Sequence, residues 1–315
     1  MFKVNKLRPK PLVSIITPSY NSGLFIEECV QSILVQDYPN IEHIIQDGAS
    51  TDNSVKILKK YSSPKYRDKI RWISKKDNGP VDAYNQALLR SRGEIILFLG
   101  ADDILIPSAV SLGVGNMAKF PEAAVIYGDE YIIDEKSRIL KTFTPRSYSF
   151  TKLLCLELVI PTEASFIRRS VFEKVGFHLD KSLKNAPDYE LWLRIGSKFP
   201  MRHVGGFVTR YRWHTQSQSR SPNLLNNFVR EKKRVMDRFF LSSSSPKRIK
   251  SLKRRAYIGL YFWAATMQIS YGAKYRAVKN LARALLFDPS KERFKEYVSF
   301  WKQAVKDYEH LKNQK

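Results

Sequence analysis

The sequence predicts an α/β protein, a mostly parallel sheet with helices on both faces, followed by a helical C-terminal extension. Three observations predict it. Strand-length apolar runs alternate with helix-period patterns from Val13 to Leu99. The run Ile95 to Leu99 is apolar without alternation, as in a strand buried on both faces. Three strands end in polar clusters: Thr17 to Asn21, Asp47 to Asp52, and Asp102-Asp103. Strand ends of a parallel sheet share one edge, where ligands are met, so these clusters are expected to converge.

Each element has its own signal. Val13 to Thr17 is the first strand, broken by Pro18-Ser19-Tyr20-Asn21. A helix follows, with Ser22 as N-cap, Glu27 and Glu28 near its positive end, and Ile26, Cys29 or Val30, and Ile33 inward. Ile41 to Gln46 is the second strand. The next helix places Val55, Ile57 and Leu58 inward. Ile70 to Ile73 is a short third strand. Pro80 suits the first turn of a helix running to Leu89, and Gly93 suits its C-terminal cap. Beyond Ala123 the pattern mixes. Short strands are expected at Ala124 to Tyr127, Tyr131 to Ile133, Ala164 to Ile167 and Phe207 to Trp213. Helices are expected at Phe150 to Leu156, Ser170 to Val175 and Asp188 to Ile195. Ser242 to Pro246 reads as a linker, and residues 247–285 and 291–310 as helices. The expected organisation is a catalytic domain over 1–219 and a basic helical extension over 220–315.

Composition narrows the function. With 315 residues, 43% hydrophobic and 27% charged, the chain is an ordinary globular protein with one substantial core and an appendage. Cys29 and Cys155 lack disulfide or metal-site spacing, which fits a reducing compartment. No run approaches membrane-spanning length, and the first residues carry no signal-like apolar core, so a cytoplasmic location is expected. The net charge is +24, of which residues 220–315, with 23 Lys/Arg and 7 Asp/Glu, carry +16. That field favours anionic partners such as an anionic membrane surface. A nucleic-acid-binding protein is the competing reading of the charge, but no nucleic-acid motif accompanies it. Neither a Gly-x-Gly-x-x-Gly turn after the first strand nor a P-loop is present.

Seven words recur in order: Val13-Ser14-Ile15-Ile16-Thr17-Pro18-Ser19-Tyr20-Asn21; Gln46-Asp47-Gly48-Ala49-Ser50-Thr51-Asp52; Asp77-Asn78-Gly79-Pro80-Val81-Asp82-Ala83-Tyr84-Asn85; Gly93-Glu94-Ile95; Asp102-Asp103; Asp188-Tyr189-Glu190-Leu191-Trp192-Leu193-Arg194; and Tyr211-Arg212-Trp213-His214. Over roughly residues 12–215 the chain resembles glycosyltransferase family 2, enzymes of the Rossmann-like GT-A fold. The resemblance implies inverting transfer of a sugar from a nucleotide diphosphate sugar to a hydroxyl of a glycan or lipid-linked acceptor. It implies that Thr17, Pro18, Tyr20 and Asn21 line the nucleotide pocket and that Asp47 accepts a hydrogen bond from the base. It also implies that Asp77, Asn78, Asp82 and Asn85 belong to the nucleotide-sugar site, with Asp102 facing the ribose or sugar. Asp103, with His214 within reach, would bind a divalent cation, Mg²⁺ or Mn²⁺, and Asp188 would be the general base.

The chemistry independently needs such parts. A cation stabilises charge developing on a departing diphosphate, and an alcohol needs help losing its proton. Other roles stand beside these. Asp47 is placed to cap a helix, Asp188 to sit at a helix N-terminus, His214 to be a surface histidine, and Tyr20 to pack rather than stack. Glu163 is expected to be a solvated loop carboxylate. The sequence departs from the family where Gly100 and Pro187 replace frequent acidic residues. It lacks the Gln-x-x-Arg-Trp word of processive synthases, so single-sugar addition is expected. A catalytically inactive sugar-nucleotide-binding module is the remaining alternative.

Overall fold

A computed structural model describes residues 7–214, 224–242, 247–270, 273–288 and 295. In chain order the elements are β1 (Val13–Ser19), α1 (Ile26–Leu34), β2 (Ile41–Asp47), α2 (Ser54–Lys59), β3 (Ile70–Ser74), α3 (Pro80–Leu89) and β4 (Ile95–Phe98). Next come β5 (Ile104–Leu105), α4 (Ala109–Lys119), β6 (Val125–Ile133), β7 (Ile139–Phe143), α5 (Phe150–Leu154), β8 (Ser165–Arg168), α6 (Arg169–Lys174), α7 (Pro187–Gly196) and β9 (Met201–Arg212). The chain continues with α8 (Leu225–Leu241), α9 (Lys247–Lys250), α10 (Lys253–Ser270) and α11 (Lys274–Phe287). Contacts divide it into two units, Met1–Tyr148 with Val159–His214, and Ser149–Leu158 with Thr215–Lys315.

The first unit holds one sheet of order β3-β2-β1-β4-β8-β6-β9-β5, with β7 on β6. Its leading half is parallel, since β1 lies between β2 and β4, and β3 flanks β2. The trailing half is mixed. β8 runs antiparallel to β4 and β6, β6 and β9 are parallel, and β5 pairs antiparallel to β9. Central β1, β2 and β4 are buried throughout or nearly so, which is why they read as unbroken apolar runs. Ile15, Leu97, Val110, Met117, Ile126 and Phe166 anchor the larger core cluster. A second cluster, with Ile26, Val30, Ile45 and Leu58, joins the helical positions expected of α1 and α2 to the sheet. Both Cys29 and Val30 are buried, resolving the alternative left by helical spacing.

Several expectations change. The two short strands expected around Gly128 are one strand, β6, and β9 begins well before Phe207. Helix α1 starts at Ile26 rather than beside Ser22, whose carbonyl accepts from Phe25 and Ile26. Residues 247–285, expected to be helical, form α9, α10 and most of α11. The helix expected over 291–310 lies almost wholly outside the described residues.

In the second unit α8, α10 and α11 pack together, burying Leu260, Ala264, Ala265, Ile269, Ala277 and Ala284. The segment containing α5 belongs here rather than with its sequence neighbours. Gly259 of α10 passes so close to it that a Cβ would lie 1.8 Å from the Cys155 carbonyl oxygen. Among the described residues, no helix is long and apolar enough to cross a membrane.

Candidate active site

The ends of β1, β2 and β3 are stitched through one carboxylate. Register aligns Ser19 with Asp47 and Asp47 with Ser74. Asp47, fully buried, accepts hydrogen bonds from Ser50 N (2.9 Å), Ser50 Oγ (2.5 Å), Ser74 Oγ (2.7 Å) and Ser19 Oγ (3.3 Å). Its observed work is to shape the loop after β2. Asn21, at φ 49°, ties the β1 loop to the same segment. Its Oδ1 accepts from Thr51 N at 2.9 Å and its N–H donates to Ser50 Oγ at 2.8 Å. Gly48 lies where Asp77 and Tyr20 leave little room for a side chain. A Cβ there would lie 2.9 Å from Asp77 Oδ2 and 3.3 Å from the exposed Tyr20 ring. Burial pushes the Asp77 carboxyl upward against the pull of the Gly79 N–H, and Asp82 and Asp47 add to the rise.

At the end of β4, Asp102 and Asp103 turn their carboxylates toward each other. A Cβ on Gly100 would meet Asp103 Oδ2 at 2.5 Å and Asp102 Oδ1 at 2.6 Å, so glycine there leaves the space on which both converge. Arg212, at the end of β9, fastens this corner. Its backbone N–H donates to Asp103 Oδ1 (2.9 Å), its Nε to the Asp102 carbonyl (2.8 Å), and its guanidinium pairs with Glu28 at 2.5 Å. Cys29 Sγ donates to the Gly100 carbonyl at 3.4 Å. His214 Nε2 lies 2.8 Å from Asp102 Oδ2. Where Asp102 is ionised it can only accept, so Nε2 donates to it and the bond holds the Asp102 carboxylate in place. The His214 ring also packs on Phe25, 5.0 Å between centroids, joining this corner to the β1 loop.

The acidic field extends beyond that pair. Burial raises the Asp103 carboxyl well above its ordinary range, with Asp102, Glu163 and Glu130 adding to the rise. Glu130, buried on β6 and accepting from Thr209 Oγ1 at 3.0 Å, is likewise raised by burial and by Glu163. Glu163 is pushed up to about 7 by burial, then by Asp188 and Asp102. Asp188 sits half-buried in the first turn of α7, where helix N–H groups favour a carboxylate. Asp102, Asp103, Glu163 and Asp188 therefore share one field at the strand ends.

The remaining sequence-predicted residues are structural links. Thr17 is buried with its hydroxyl 2.9 Å from His43 Nε2, and Pro18 is half-buried beside it on β1. Asn78 donates to Asp82 through its backbone N–H and its amide. Lys181 pairs with Asp82 at 2.7 Å and, as the main cause, holds its carboxyl down at about 2. Both polar atoms of the Asn85 side chain bind Leu179, through Nδ2 to the carbonyl (2.9 Å) and Oδ1 from the N–H (2.7 Å). These links fix the segment leading into α7 and so position Asp188. Glu163, expected as a solvated loop carboxylate, is half-buried and lies within the electrostatic reach of Asp188 and Asp102. Glu130 and Arg212 were given no role by sequence reading. The word containing Arg212 was visible, but nothing in it said that a cation would be buried under Asp102 and Asp103.

Among the described residues, no three His, Cys, Asp or Glu side chains gather into a metal-ligand group. Two converging carboxylates nevertheless suit Mg²⁺ or Mn²⁺, which bind through one or two carboxylates plus substrate phosphates and water.

Known proteins resemble this chain in sequence and in fold. An uncharacterized glycosyltransferase of Rickettsia felis is 30% identical over 217 residues, covering 67% of this chain and 35% of its own. The chain thus spans about a third of the length of that relative. A mannosyltransferase, PcManGT from Pyrobaculum calidifontis, solved with GDP-Man and Mn²⁺, superposes with a TM-score of 0.60 at 18% identity, covering 96% of this chain and 83% of that one. The S. aureus TarS 1-349 chain with UDP-GlcNAc gives 0.56 at 15% identity, covering 87% and 90%. Both share the GT-A fold. The family model described as glycosyl transferase family 2 matches residues 14–176, and the chain belongs to that family of glycosyltransferases.

Proposed function

We propose that this chain is a divalent-cation-dependent, inverting glycosyltransferase that adds one sugar from a nucleotide diphosphate sugar to an acceptor hydroxyl. The observation that carries the reading is the convergence of Asp102 and Asp103 over Gly100, within the electrostatic reach of Glu163 and Asp188. PcManGT, bound to GDP-Man and Mn²⁺, and TarS, bound to UDP-GlcNAc, support a nucleotide-sugar donor by their likeness of fold.

On this reading the loops after β1 and β2, with Tyr20, Asn21, Gly48 and Asp77, receive the nucleotide, while Asp47 sets their shape. Asp102 and Asp103 would hold the cation, which would neutralise charge on the departing diphosphate. His214 keeps Asp102 aimed. Asp188 takes the acceptor hydroxyl proton as that oxygen bonds to the anomeric carbon from the face opposite the diphosphate. The bond from the anomeric carbon to the diphosphate oxygen breaks with its electrons leaving on the nucleoside diphosphate. The acceptor is a glycan or lipid-linked glycan hydroxyl. The +16 net charge of residues 220–315 supports work at an anionic cytoplasmic membrane surface.

A donor screen tests this. Nucleoside diphosphate release is followed across UDP-, dTDP- and GDP-sugars with Mn²⁺, with and without EDTA. Release from one donor class, abolished by EDTA, is expected. Undiminished release in EDTA would overturn the cation-dependent reading, and no release from any donor would overturn transfer itself.

A further inference from the structure

The second unit contains a cavity of about 640 Å³ whose walls are α8, α10 and α11. Its chemistry is one-sided. From α11, Arg276, Lys279, Asn280 and Arg283 recur at i, i+3, i+4 and i+7 and line it together. From α8, Arg230 and Lys233 face the same space. None of the lining residues is acidic.

Arg230, Arg276, Lys279 and Arg283 are exposed, so these cations stand on the solvent side of this space, where like charges three or four residues apart weaken a helix. Lys233 is answered by Asp237, 2.8 Å away on its own helix. Arg230, Arg276, Lys279 and Arg283 have no ion-pair partner among the described residues. The amides hold the guanidiniums rather than neutralise them. Arg230 donates to Asn227 Oδ1 at 2.6 Å and Arg283 to Asn280 Oδ1 at 3.4 Å. Beneath them Asn280 Nδ2 donates to Gln268 Oε1 at 2.9 Å, and both amide side chains are buried. Each of these two guanidiniums spends one N–H on an amide and keeps others for a ligand.

We infer that this cavity is an anion site for a phosphate or diphosphate group, separate from the candidate active site. Several forked N–H donors converging from two helices match the oxygens of a phosphate. The phosphate is either a free one or one in a lipid headgroup. Tyr275, Val278 and Leu286, exposed on the same helix α11, make the second source worth its own arm of the test.

Titration of the full chain with inorganic pyrophosphate, in EDTA, reads the site without any cation bridging at the strand ends. The wild type is expected to bind at least about tenfold more tightly than Arg276→Gln/Lys279→Gln/Arg283→Gln, with binding weakened by salt. Arg230→Gln, on the opposite wall, supplies an independent variant and is expected to weaken binding as well. Circular dichroism establishes that the variants fold, and donor turnover in them should be unchanged. Flotation with phosphatidic acid vesicles against phosphatidylcholine vesicles separates the sources. Recovery lost in the triple variant assigns a lipid phosphate, whereas pyrophosphate binding without flotation assigns a soluble one. Equal pyrophosphate affinity in wild type and both variants would overturn the site.

Discussion

Arg212 donates its backbone N–H to Asp103 Oδ1 at 2.9 Å and its side-chain Nε to the Asp102 carbonyl at 2.8 Å. One residue of β9 thereby sets both acidic residues at the end of β4. Its guanidinium also reaches Glu28 and the carbonyl of Asp134, and it packs over the Phe25 ring. Arg212→Met keeps the backbone bond and removes the rest. Hydrogen bonds to charged groups contribute on the order of 1.5–3 kcal/mol each, and Glu28 is half-exposed, so a loss of about 2–3 kcal/mol is expected. Urea denaturation measures it. An unchanged midpoint would mean that the corner holds itself.

Gly100→Ala places a methyl group where Asp102 and Asp103 converge, about as intrusive a change as one carbon can make. The fold should survive, because the turn lies at the surface end of β4. Activation by Mn²⁺ should not, and the Mn²⁺ concentration for half-maximal donor turnover is expected to rise by about tenfold or more, of order 1.4 kcal/mol. A variant activated at the wild-type concentration would separate these carboxylates from the cation.

Asp188→Asn removes the proton acceptor and keeps its shape and its place in the first turn of α7. General-base losses are about 10²–10⁴-fold, and transfer should fall within that range while donor affinity is preserved. Rapid transfer by the variant would assign the base elsewhere.

Glu163 gives a pH signature. Its carboxyl sits at about 7 in the folded chain against an ordinary 4.5. Between those values the folded protein keeps a proton that the unfolded chain has released. Its stabilising effect is complete below about pH 4.5 and is lost as pH rises through about 7. Glu163→Gln cannot titrate. Relative to wild type it should therefore gain stability from pH 5 to pH 8, as read by denaturation at the two values. A constant difference would place the raised group elsewhere in the acidic field.

Much of the parallel half was legible because β1, β2 and β4 are buried on both faces and leave unbroken apolar runs. Helix α3 was legible because Pro80 marks its first turn, though Arg90 rather than the expected Gly93 caps its C-terminus. The mixed half was not. Glu130 interrupts the apolar pattern of β6 with a buried carboxylate, so the strand reads as two pieces around a turn. Glu163 looked solvated because a loop position carries no sign of what packs over it. Asp47 and Asn85 were legible as important, but their neighbours were not. Only the fold shows that serine hydroxyls and the Leu179 backbone take up their polar atoms.

The lock on the strand-end corner has a consequence during synthesis. Arg212 follows Asp103 by 109 positions. A nascent chain that has formed β1 to β4 already holds the parallel half of the sheet, yet its acidic pair stands without the residue that fastens it. That closure must wait for β9, and contacts of such separation form late and slowly. The acidic corner is thus completed from the far end of its domain, and a chain interrupted before residue 212 holds Asp102 and Asp103 without the contacts that fasten them.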